Sequence, residues 1–530
     1  MKILTGHDAP RDAGLGVAKT EYAGINYTRW RTGPIVALYG YGRYATRFVG
    51  YRQLNEANQF MKKTDKNIIW IVLDSIRADR TPFGGHSRQT MPVLEEFASR
   101  PDSLGTTCTS HGIWSLPSMA SMMTGVWPSH HGAGLHNEVL PAEFTTVAER
   151  LSERSYRTVG VSRNSYFSST TGLDRGFDEF HQVSVGDLFV QAGLSGTAAF
   201  LRNVRKYSGG MTIEKRKHSP DFLLNEIIKN RLQELANGDE PFALFGHYLG
   251  SHHPYYPSPF FRDEFDVPGS LSASEAAELA FQTTSDVYST IANSDSITDP
   301  EWEAIRTMYD ALIRQTDSLI ERLIHAIEAL GLLDETILVI TSDHGDLLGE
   351  ADLVSHKLLL YDALTQVPVV VHGSDRMKGI DSDNLQHIDI LQTILEEVGA
   401  STEGMHGSTF PDFGREYAVT QRGKQTADRT IKRVTEYEPE FSNDAVQRGL
   451  LTAIRKDEWK LVRGDSGSKL YRLPDEGVDE SSNYPEKSRS LNEIHDDWME
   501  RYGKRVLTRE QAEFSESAKR RLAELGYVTD

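Results

Sequence analysis

Continuous apolar runs that end in polar residues recur along this chain and predict buried strands. The first, NIIWIVLD at 67–74, is apolar at almost every position and closes on an aspartate. Such runs are typical of strands that are covered on both faces of a sheet. Four later segments share this character and are also predicted to be strands: RTVGVSRN at 157–164, PFALFGHYLG at 241–250, ETILVITSDHG at 335–345 and VPVVVHG at 367–373.

Helical periodicity alternates with these strands. It is clearest over 302–331, where apolar residues recur at three- and four-residue spacing and Gly331 stands at the predicted end. We interpret 181–235 and 258–300 as insertions, the second as a helical excursion at the surface. Strands that alternate with helices indicate an α/β fold, in which helices cover both sides of a sheet. In such folds the chemistry gathers at the carboxyl ends of the strands.

The pattern changes after about residue 412. The segment at 450–476 alternates short apolar strands with Gly and Asp turns, which predicts a small antiparallel sheet. A last helix is predicted around 508–526, and the first 66 residues, which carry no motif, are predicted to form an ordered arm packed on the main domain. A chain of 530 residues is too long for one compact core. We therefore predict an N-terminal extension at 1–66, a main domain at 67–412 and a C-terminal subdomain at 413–530.

Charge and cysteine content narrow the classes of partner and compartment. Acidic residues outnumber basic ones by 76 to 57, for a formal charge of −19, which argues against nucleic acid and anionic membranes as partners. A single cysteine, Cys108, excludes a disulfide within the chain and fits a reducing compartment. No apolar run reaches the roughly 18 residues of a membrane span, and the first residues lack the apolar core of a signal peptide. We therefore expect a cytoplasmic protein.

Acidic residues close two of the predicted strands. Asp74 follows the first strand, and Asp343 follows the strand near 340, with His344 beside it. An aspartate at the end of a buried strand is costly unless it is paired or bound to a cation. Each aspartate alone could simply cap the next helix. Two such strand ends, one extended by a histidine, favour a divalent metal site built across them.

Other candidate residues lie in three segments. FGHYLGSHHPYYPSP at 245–259 places His247, His252 and His253 at a strand end, and this cluster is a candidate for general acid work or for contact with an anion. His252 is the candidate general acid, and its neighbour His253 is expected to point to the opposite face. SHKLLLYD at 355–362 carries His356 and Lys357, which could reach the same strand ends and contact an anion. In GIWSLPSMASMMTG at 112–125, the local sequence leaves open whether Ser115 is a nucleophile or a helix cap.

Taken in order, these segments resemble the sulfatase family of the alkaline phosphatase superfamily. The resemblance runs from about residue 67 to about residue 480. NIIWIVLDSIRADRTPFGG resembles the family's opening strand and turn, and WSLPSMASMMTGVWPSHHG resembles its nucleophile segment. GFDEF, HYLGSHHPY, TSDHGDLLGE, SHKLLLYDALTQVPVVV and KLYRLPDE follow in family order. The resemblance implies an alkaline-phosphatase-like three-layer α/β/α sandwich with a mostly parallel central sheet and a small C-terminal antiparallel subdomain.

The resemblance also implies roles for individual residues. Ser115 aligns with the nucleophile, His252 and Lys357 align with residues that contact the transferred group, and Asn137 resembles an asparagine found near the substrate. We add His356 to the substrate contacts because it neighbours Lys357. The ligands implied for one divalent metal ion are Asp74, Ser115, Asp343 and His344.

Several positions depart from the family pattern. Met119 stands where sulfatases that carry formylglycine usually have arginine, and the nucleophile is not cysteine, so we predict that Ser115 stays a serine. Ser75 replaces the second acid of a common aspartate pair, and His344 stands where many sulfatases have asparagine. Two carboxylates, an imidazole and a hydroxyl suit Mn²⁺ or Zn²⁺ as well as Ca²⁺ or Mg²⁺.

The leading hypothesis is a metal-dependent hydrolase of sulfate or phosphate esters. Ser115 would attack in line, Lys357 would stabilise the developing charge, and His252 would protonate the leaving alcohol. The expected substrate is a small anionic ester, such as a sulfated or phosphorylated sugar. Two alternatives stay open. One is a transferase that passes a phospho group from the same serine to an alcohol, and the other is a binding protein that has lost catalysis.

Overall fold

The chain divides into two units, Met1–Lys66 and Asn67–Asp530. The computed structural model describes residues 66–530 except 185–186, 380–383, 505, 509, 517, 520–521 and 523–530, and the backbone of four short strands before them. These four strands form an antiparallel sheet: β1 (Ala18–Tyr22), β2 (Ile25–Arg29), β3 (Val36–Leu38) and β4 (Arg47–Val49). The predicted packing of this extension on the main domain lies outside the described residues.

A seven-stranded sheet forms the centre of the second unit. The strands of this unit are β5 (Asn67–Leu73), β6 (Ser103–Thr109), β7 (Arg157–Ser162), β8 (Glu179–Gln182), β9 (Phe242–Tyr248), β10 (Thr336–Thr341), β11 (Leu347–Leu348), β12 (Val354–Ser355), β13 (Gln366–His372), β14 (Ala418–Arg422), β15 (Leu451–Lys456), β16 (Trp459–Gly464) and β17 (Gly467–Arg472). The central order is β6-β13-β10-β5-β9-β7-β8. Only β13 runs against its neighbours, so the mostly parallel sheet is confirmed.

Both faces of this sheet are covered, as the continuous apolar runs predict. In β5, Ile69, Ile71 and Leu73 belong to one hydrophobic cluster. The alternate residues Ile68, Trp70 and Val72 belong to a second cluster. Because successive side chains of a strand point to opposite faces, the two clusters lie on opposite sides of the sheet. This arrangement confirms the three-layer α/β/α architecture.

The five predicted strands are confirmed within a few residues, but two further strands were not predicted. Strands β6 and β8 are the outermost strands of the central sheet. Most residues of β6 and all residues of β8 are only partly buried. Their sequences, SLGTTCT and EFHQ, therefore lack the apolar run by which the inner strands were recognised.

Thirteen α-helices of the described chain surround the sheets. They are α1 (Pro92–Ala98), α2 (Ser115–Thr124), α3 (Pro128–His131), α4 (Val147–Ser152), α5 (Leu188–Tyr207), α6 (Asp221–Ala236), α7 (Ala273–Ser285), α8 (Val287–Ala292), α9 (Asp299–Ala329), α10 (Asp362–Thr365), α11 (His387–Glu397), α12 (Lys424–Val434) and α13 (Pro485–Tyr502). A capping box between Thr298 and Glu301 starts α9 three residues before the predicted position.

Segment 258–300 is helical as predicted, but its placement wholly at the surface was wrong. Its helix α7 packs against α9 and buries Ala276, Ala277 and Ala280 completely. Alanine side chains allow the two helices to approach closely. The alanines of this segment therefore belong to the packed face of a helix and do not indicate a surface segment.

The C-terminal antiparallel sheet is present, in the order β14-β15-β16-β17. Helix α13, which was not predicted, packs on this sheet and buries Leu491 and Trp498. The predicted helix at 508–526 falls partly outside the described residues, and helical conformation begins there only at Glu516. Among the described residues, none of the helices is long and apolar enough to cross a membrane. The cytoplasmic location stays a prediction.

Candidate active site

Four neighbouring strands deliver polar side chains to one edge of the sheet. In the order β10-β5-β9-β7, the chain places Asp343 just beyond β10, Asp74 just beyond β5, His247 within the last two residues of β9 and Asn164 just beyond β7. These strands are parallel, so their carboxyl ends meet. All four side chains are buried.

The two aspartates are held in place by the turn that follows β5. Ser75 has a left-handed backbone (φ 63°), and its hydroxyl donates to Asp74 Oδ1 at 2.8 Å. The Ser75 amide donates to Asp343 Oδ1 at 3.3 Å, and the His344 amide donates to the same oxygen at 3.0 Å. Ser75 therefore replaces the missing second acid of the family pattern with a group that orients both remaining carboxylates.

Two imidazoles face these carboxylates. His344 Nε2 lies 3.6 Å from Asp74 Oδ1 and 3.6 Å from Asp343 Oδ2. Its Nδ1 donates to the Gly345 carbonyl at 2.8 Å, which directs Nε2 into the site. His247 Nε2 lies 3.6 Å from Asp343 Oδ2 and 3.9 Å from Asp74 Oδ2. The sequence predicted His344 for this place but not His247.

The pKa values reflect these charges. Burial alone would raise the pKa of Asp343, but His344 and His247 lower it well below its usual range. Burial alone would lower the pKa of His247, but Asp343 and Asp74 raise it above its ordinary value. The site therefore favours an ionised carboxylate beside positive charge.

The residues at this edge fit a divalent cation. Asp343 Oδ2, His344 Nε2 and both ring nitrogens of His247 are buried and have no hydrogen-bond partner among the described residues. Ligand atoms of Asp74, His247 and Asp343 lie within 4.8 Å of one another. Buried polar atoms without partners are costly, and coordination of one cation would satisfy several of them together.

Ser115 is the first residue of α2, and its hydroxyl does not cap that helix. Trp114 occupies the N-cap position, and the helix has no side-chain cap. Instead, Ser115 Oγ lies 3.5 Å from Asp74 Oδ2. Asn164 Nδ2 donates to Ser115 Oγ at 2.8 Å and to Asp74 Oδ2 at 3.1 Å. The structure thus rejects the helix-cap interpretation of Ser115 and adds Asn164, which the sequence analysis missed.

The remaining face of α2 is core. Met119, Met122 and Met123 are buried in a hydrophobic cluster with the apolar side chains of the sheet. Met119 stands at the position where the family pattern has an arginine. Its side chain packs in the hydrophobic core instead of reaching the site.

A turn brings His252 over Asp74. Gly250 has φ 57°, and a Cβ there would lie 2.7 Å from the Asp74 carbonyl oxygen, so only glycine lets the turn run this close. The Ser251 hydroxyl donates to the Ser75 carbonyl at 2.9 Å. His252 Nδ1 donates to the His253 carbonyl at 2.7 Å. Burial lowers the pKa of His252, and Asp74 opposes that shift.

The expectation that His253 faces away from His252 was wrong. Their ring centroids are 4.4 Å apart, and the His253 ring is stacked on that of His356 at 5.4 Å. The expectation assumed an extended chain, whereas residues 250–254 form turns and bends. His253 Nε2 lies 3.2 Å from Ser355 Oγ. His253 thus packs in the same histidine cluster as His252.

His356 and Lys357 are brought close to the site, as predicted. The His356 ring lies 4.4 Å from that of His344, and its Nδ1 is 3.1 Å from Asp346 Oδ1. Tyr255 donates to the other oxygen of Asp346 at 2.5 Å. Lys357 is buried, and burial lowers its pKa to about 7 in spite of Asp346.

Asn137, the asparagine proposed from the resemblance, has a different environment. Its Nδ2 donates to the carbonyls of His131 at 3.1 Å and Val506 at 2.8 Å, and its Oδ1 accepts from the Thr508 amide at 3.3 Å. It lines the cavity beside the site, but its amide is engaged with backbone.

A cavity of about 280 Å³ lies beside the segment that carries the serine. Trp114 and Leu116, the residues on either side of Ser115, line it together with Lys357. The opposite wall is formed by helix α12. The aromatic and basic residues of the lining are Trp114, Tyr166, Tyr288, Phe514, Lys357, Arg429, Lys432 and Arg433.

The fold and site define a hydrolase of the alkaline phosphatase superfamily. A family model described as Sulfatase matches residues 66–400. The chain belongs to the sulfatase family, a family of sulfuric ester hydrolases. Arylsulfatase K of Bos taurus is 24% identical over 458 residues, an alignment that covers 81% of this chain and 80% of that protein. An ulvan-active sulfatase of Formosa agariphila is 25% identical over 347 residues, covering 63% and 61%.

Solved structures show the same fold. The phosphonate monoester hydrolase of Agrobacterium radiobacter superposes with a TM-score of 0.63 at 17% identity, covering 82% of this chain and 96% of that one. A structure solved in complex with its substrate, D-glucosamine-2-N,6-O-disulfate, superposes with a TM-score of 0.58 at 17% identity, covering 83% and 98%. These identities are too low to carry more than the fold.

Proposed function

We propose that this protein hydrolyses sulfate esters with Ser115 as the nucleophile and one divalent cation held by Asp74, Asp343, His344 and Ser115. The observation that supports this most directly is the position of Ser115 Oγ. It lies 3.5 Å from Asp74 Oδ2, next to the proposed cation ligands. His247 is a second imidazole that faces the same carboxylates and supplies a further ligand or a balancing positive charge.

A cation held by Asp74, Asp343, His344 and Ser115 would lower the pKa of a nearby hydroxyl and neutralise charge on an ester oxygen. The chain's own residues do the rest. Asn164 holds Ser115 Oγ beside Asp74 through hydrogen bonds of 2.8 Å to Ser115 Oγ and 3.1 Å to Asp74 Oδ2. Ser115 loses its hydroxyl proton to water, and its Oγ forms a bond to sulfur while the bond from sulfur to the leaving oxygen breaks. Water then cleaves the serine–sulfate ester and returns the free serine.

Lys357 and His252 act on the two sides of the transferred group. Lys357 contributes positive charge to the sulfate oxygens, on which charge builds in the transition state. His252 gives its proton to the leaving alcohol oxygen. Burial disfavours the charged form of both side chains. An anionic substrate beside them raises both pKa values again, because negative charge favours the protonated form.

A sulfated sugar is the proposed substrate class. One relative is named for activity on ulvan, and one structural neighbour was solved with a sulfated glucosamine. The cavity of this chain supports the same class, because aromatic side chains flank Ser115 and can cover the apolar face of a sugar ring.

The test is a substrate panel with defined metals. Metal-stripped protein is supplied with Mn²⁺, Ca²⁺, Mg²⁺ or Zn²⁺ and offered an aryl sulfate, an aryl phosphate monoester and an aryl phosphodiester. The proposal predicts sulfate release with at least one metal and its loss in Ser115→Ala. Turnover of the phosphate esters alone would establish a phosphoesterase instead. Transfer of the group to added glycerol would establish the transferase alternative, and no turnover with any metal would favour a binding protein.

A further inference from the structure

Helix α12 forms a wall of the cavity for which neither the sequence nor the proposed mechanism gives a role. Ala427, Thr430, Ile431 and Val434 bury one face of this helix. The other face presents Arg429, Lys432 and Arg433 to the cavity. Across the whole lining, four basic residues stand against two acidic ones. A net positive cavity in a chain with a formal charge of −19 is a local concentration of charge suited to an anion.

The basic groups of this wall are available to a ligand. Arg433 pairs with Glu436 at 2.9 Å and Arg429 with Glu138 at 3.1 Å, and the side chains of both pairs are at least 38% exposed. Exposed pairs contribute little and exchange readily. The Lys432 side chain has no ion pair or hydrogen bond within the described part of the chain. Arg433 Nε is buried and has no acceptor among the described residues.

Aromatic rings line the cavity together with this basic wall. Trp114 and Tyr166 meet edge to face with ring centroids 5.0 Å apart, and Phe514 meets Tyr166 in the same way at 5.8 Å. On the helix α12 side, the Arg433 guanidinium lies 5.9 Å over the ring of Tyr288. The cavity therefore offers a sulfate position near Lys357, an apolar surface for a ring, and a second cationic position.

We propose that the substrate carries a second anionic group, a carboxylate or a second sulfate, which Arg433 and Lys432 bind at the α12 wall of the cavity. This inference rests on the proposed sulfate-ester hydrolysis and specifies its substrate as a polyanionic sugar. The guanidinium of Arg433 matches the planar geometry of a carboxylate or a sulfate edge. Arg433 and Lys432 thus determine specificity, while the chemistry at Ser115 does not depend on them.

The test compares two disaccharides that differ in one group. One carries a sulfate ester and a carboxylate, and the other has the carboxylate reduced to an alcohol. We expect wild-type protein to favour the carboxylated substrate at least tenfold in KM. Arg433→Gln and Lys432→Gln should each raise that KM severalfold, together at least tenfold, and leave kcat within twofold. Neither variant should change kcat/KM for nitrophenyl sulfate, which has no second anion.

Lys424→Gln is the matched control, because it removes the same charge from the same helix outside the cavity. It should leave every KM unchanged. Calorimetric binding of the two disaccharides to the Ser115→Ala variant repeats the comparison without turnover. A failure of hydrolysis therefore leaves the binding result intact. Equal affinity within this pair and within a matched pair that differs in a second sulfate, or equal losses in Lys424→Gln and Arg433→Gln, would overturn the proposal.

Discussion

Replacement of Asn164 by alanine tests the geometry of the site at its most specific point. The change removes one amide that donates to Ser115 Oγ at 2.8 Å and to Asp74 Oδ2 at 3.1 Å. A hydrogen bond to a charged group contributes roughly 1.5–3 kcal/mol. If that interaction persists in the transition state, its loss lowers the rate about 10- to 100-fold, since roughly 1.4 kcal/mol corresponds to a factor of ten.

The loss should fall on kcat rather than on KM, because Asn164 contacts the nucleophile and not the expected position of the sugar. The assay is steady-state hydrolysis of nitrophenyl sulfate, together with elemental analysis of bound metal and thermal unfolding. Asn137→Ala is the control. The Asn137 amide is engaged with the carbonyls of His131 and Val506, so we expect kcat to stay within about threefold of wild type.

The opposite ranking would refute the reasoning. If Asn137→Ala abolished turnover while Asn164→Ala kept the wild-type kcat, the role implied by the family resemblance would stand. The hydrogen bonds of Asn164 would then only support the fold. A loss of metal in Asn164→Ala with no loss in folding stability would assign Asn164 to holding Asp74 rather than Ser115.

Four further outcomes are expected. The pKa of Lys357 is lowered to about 7, so its charge is present below that pH and lost above it. The kcat/KM for nitrophenyl sulfate should therefore decrease as pH rises through about 7, and in Lys357→Arg this decrease should occur at higher pH. If the decrease occurs at the same pH in Lys357→Arg, it reports the titration of another group. His252→Ala should cost roughly 10²–10⁴ in rate with an alkyl sulfate and far less with nitrophenyl sulfate, whereas equal losses would make His252 an anion contact. Intact mass and peptide mapping should show Ser115 without the loss of two hydrogens, and an aldehyde there would contradict the prediction from Met119. Lys460 is buried and pairs with Asp362 at 2.7 Å and with Glu476 at 2.8 Å. Its replacement by methionine should lower the free energy of unfolding by about 3–5 kcal/mol, because both acids lose their buried partner. A denaturant midpoint close to that of wild type would contradict this.

The inner strands and the two carboxylates of the candidate site could be predicted from sequence for one physical reason. A strand covered on both faces must be apolar at nearly every position, so the first charged residue after it stands out. Asp74 and Asp343 are such residues. The outermost strands β6 and β8 carry no such signature because most of their residues are only partly buried.

The sequence indicated His247 only as one of three histidines at a strand end, and it did not indicate Asn164. Both residues lie inside segments that are predicted as strands. Both are polar residues near carboxyl ends, which is a usable signal. To choose them, the order of the strands has to be known. Strand β9 pairs with β5, which places His247 opposite Val72, and β7 pairs with β9, which places Ser162 opposite His247. The order of the strands depends on tertiary packing, and it cannot be read from a single sequence taken by itself.

The arrangement of the site follows from what the sheet can support. The four strands β10, β5, β9 and β7 end side by side, and each supplies one buried polar group that is costly alone. Together, the carboxylates of Asp74 and Asp343 face the imidazoles of His247 and His344, so each offsets part of the cost of burying the others. Several buried atoms still lack hydrogen-bond partners. One cation bound there would satisfy that remainder, because it can accept lone pairs from carboxylate and imidazole atoms at the same point.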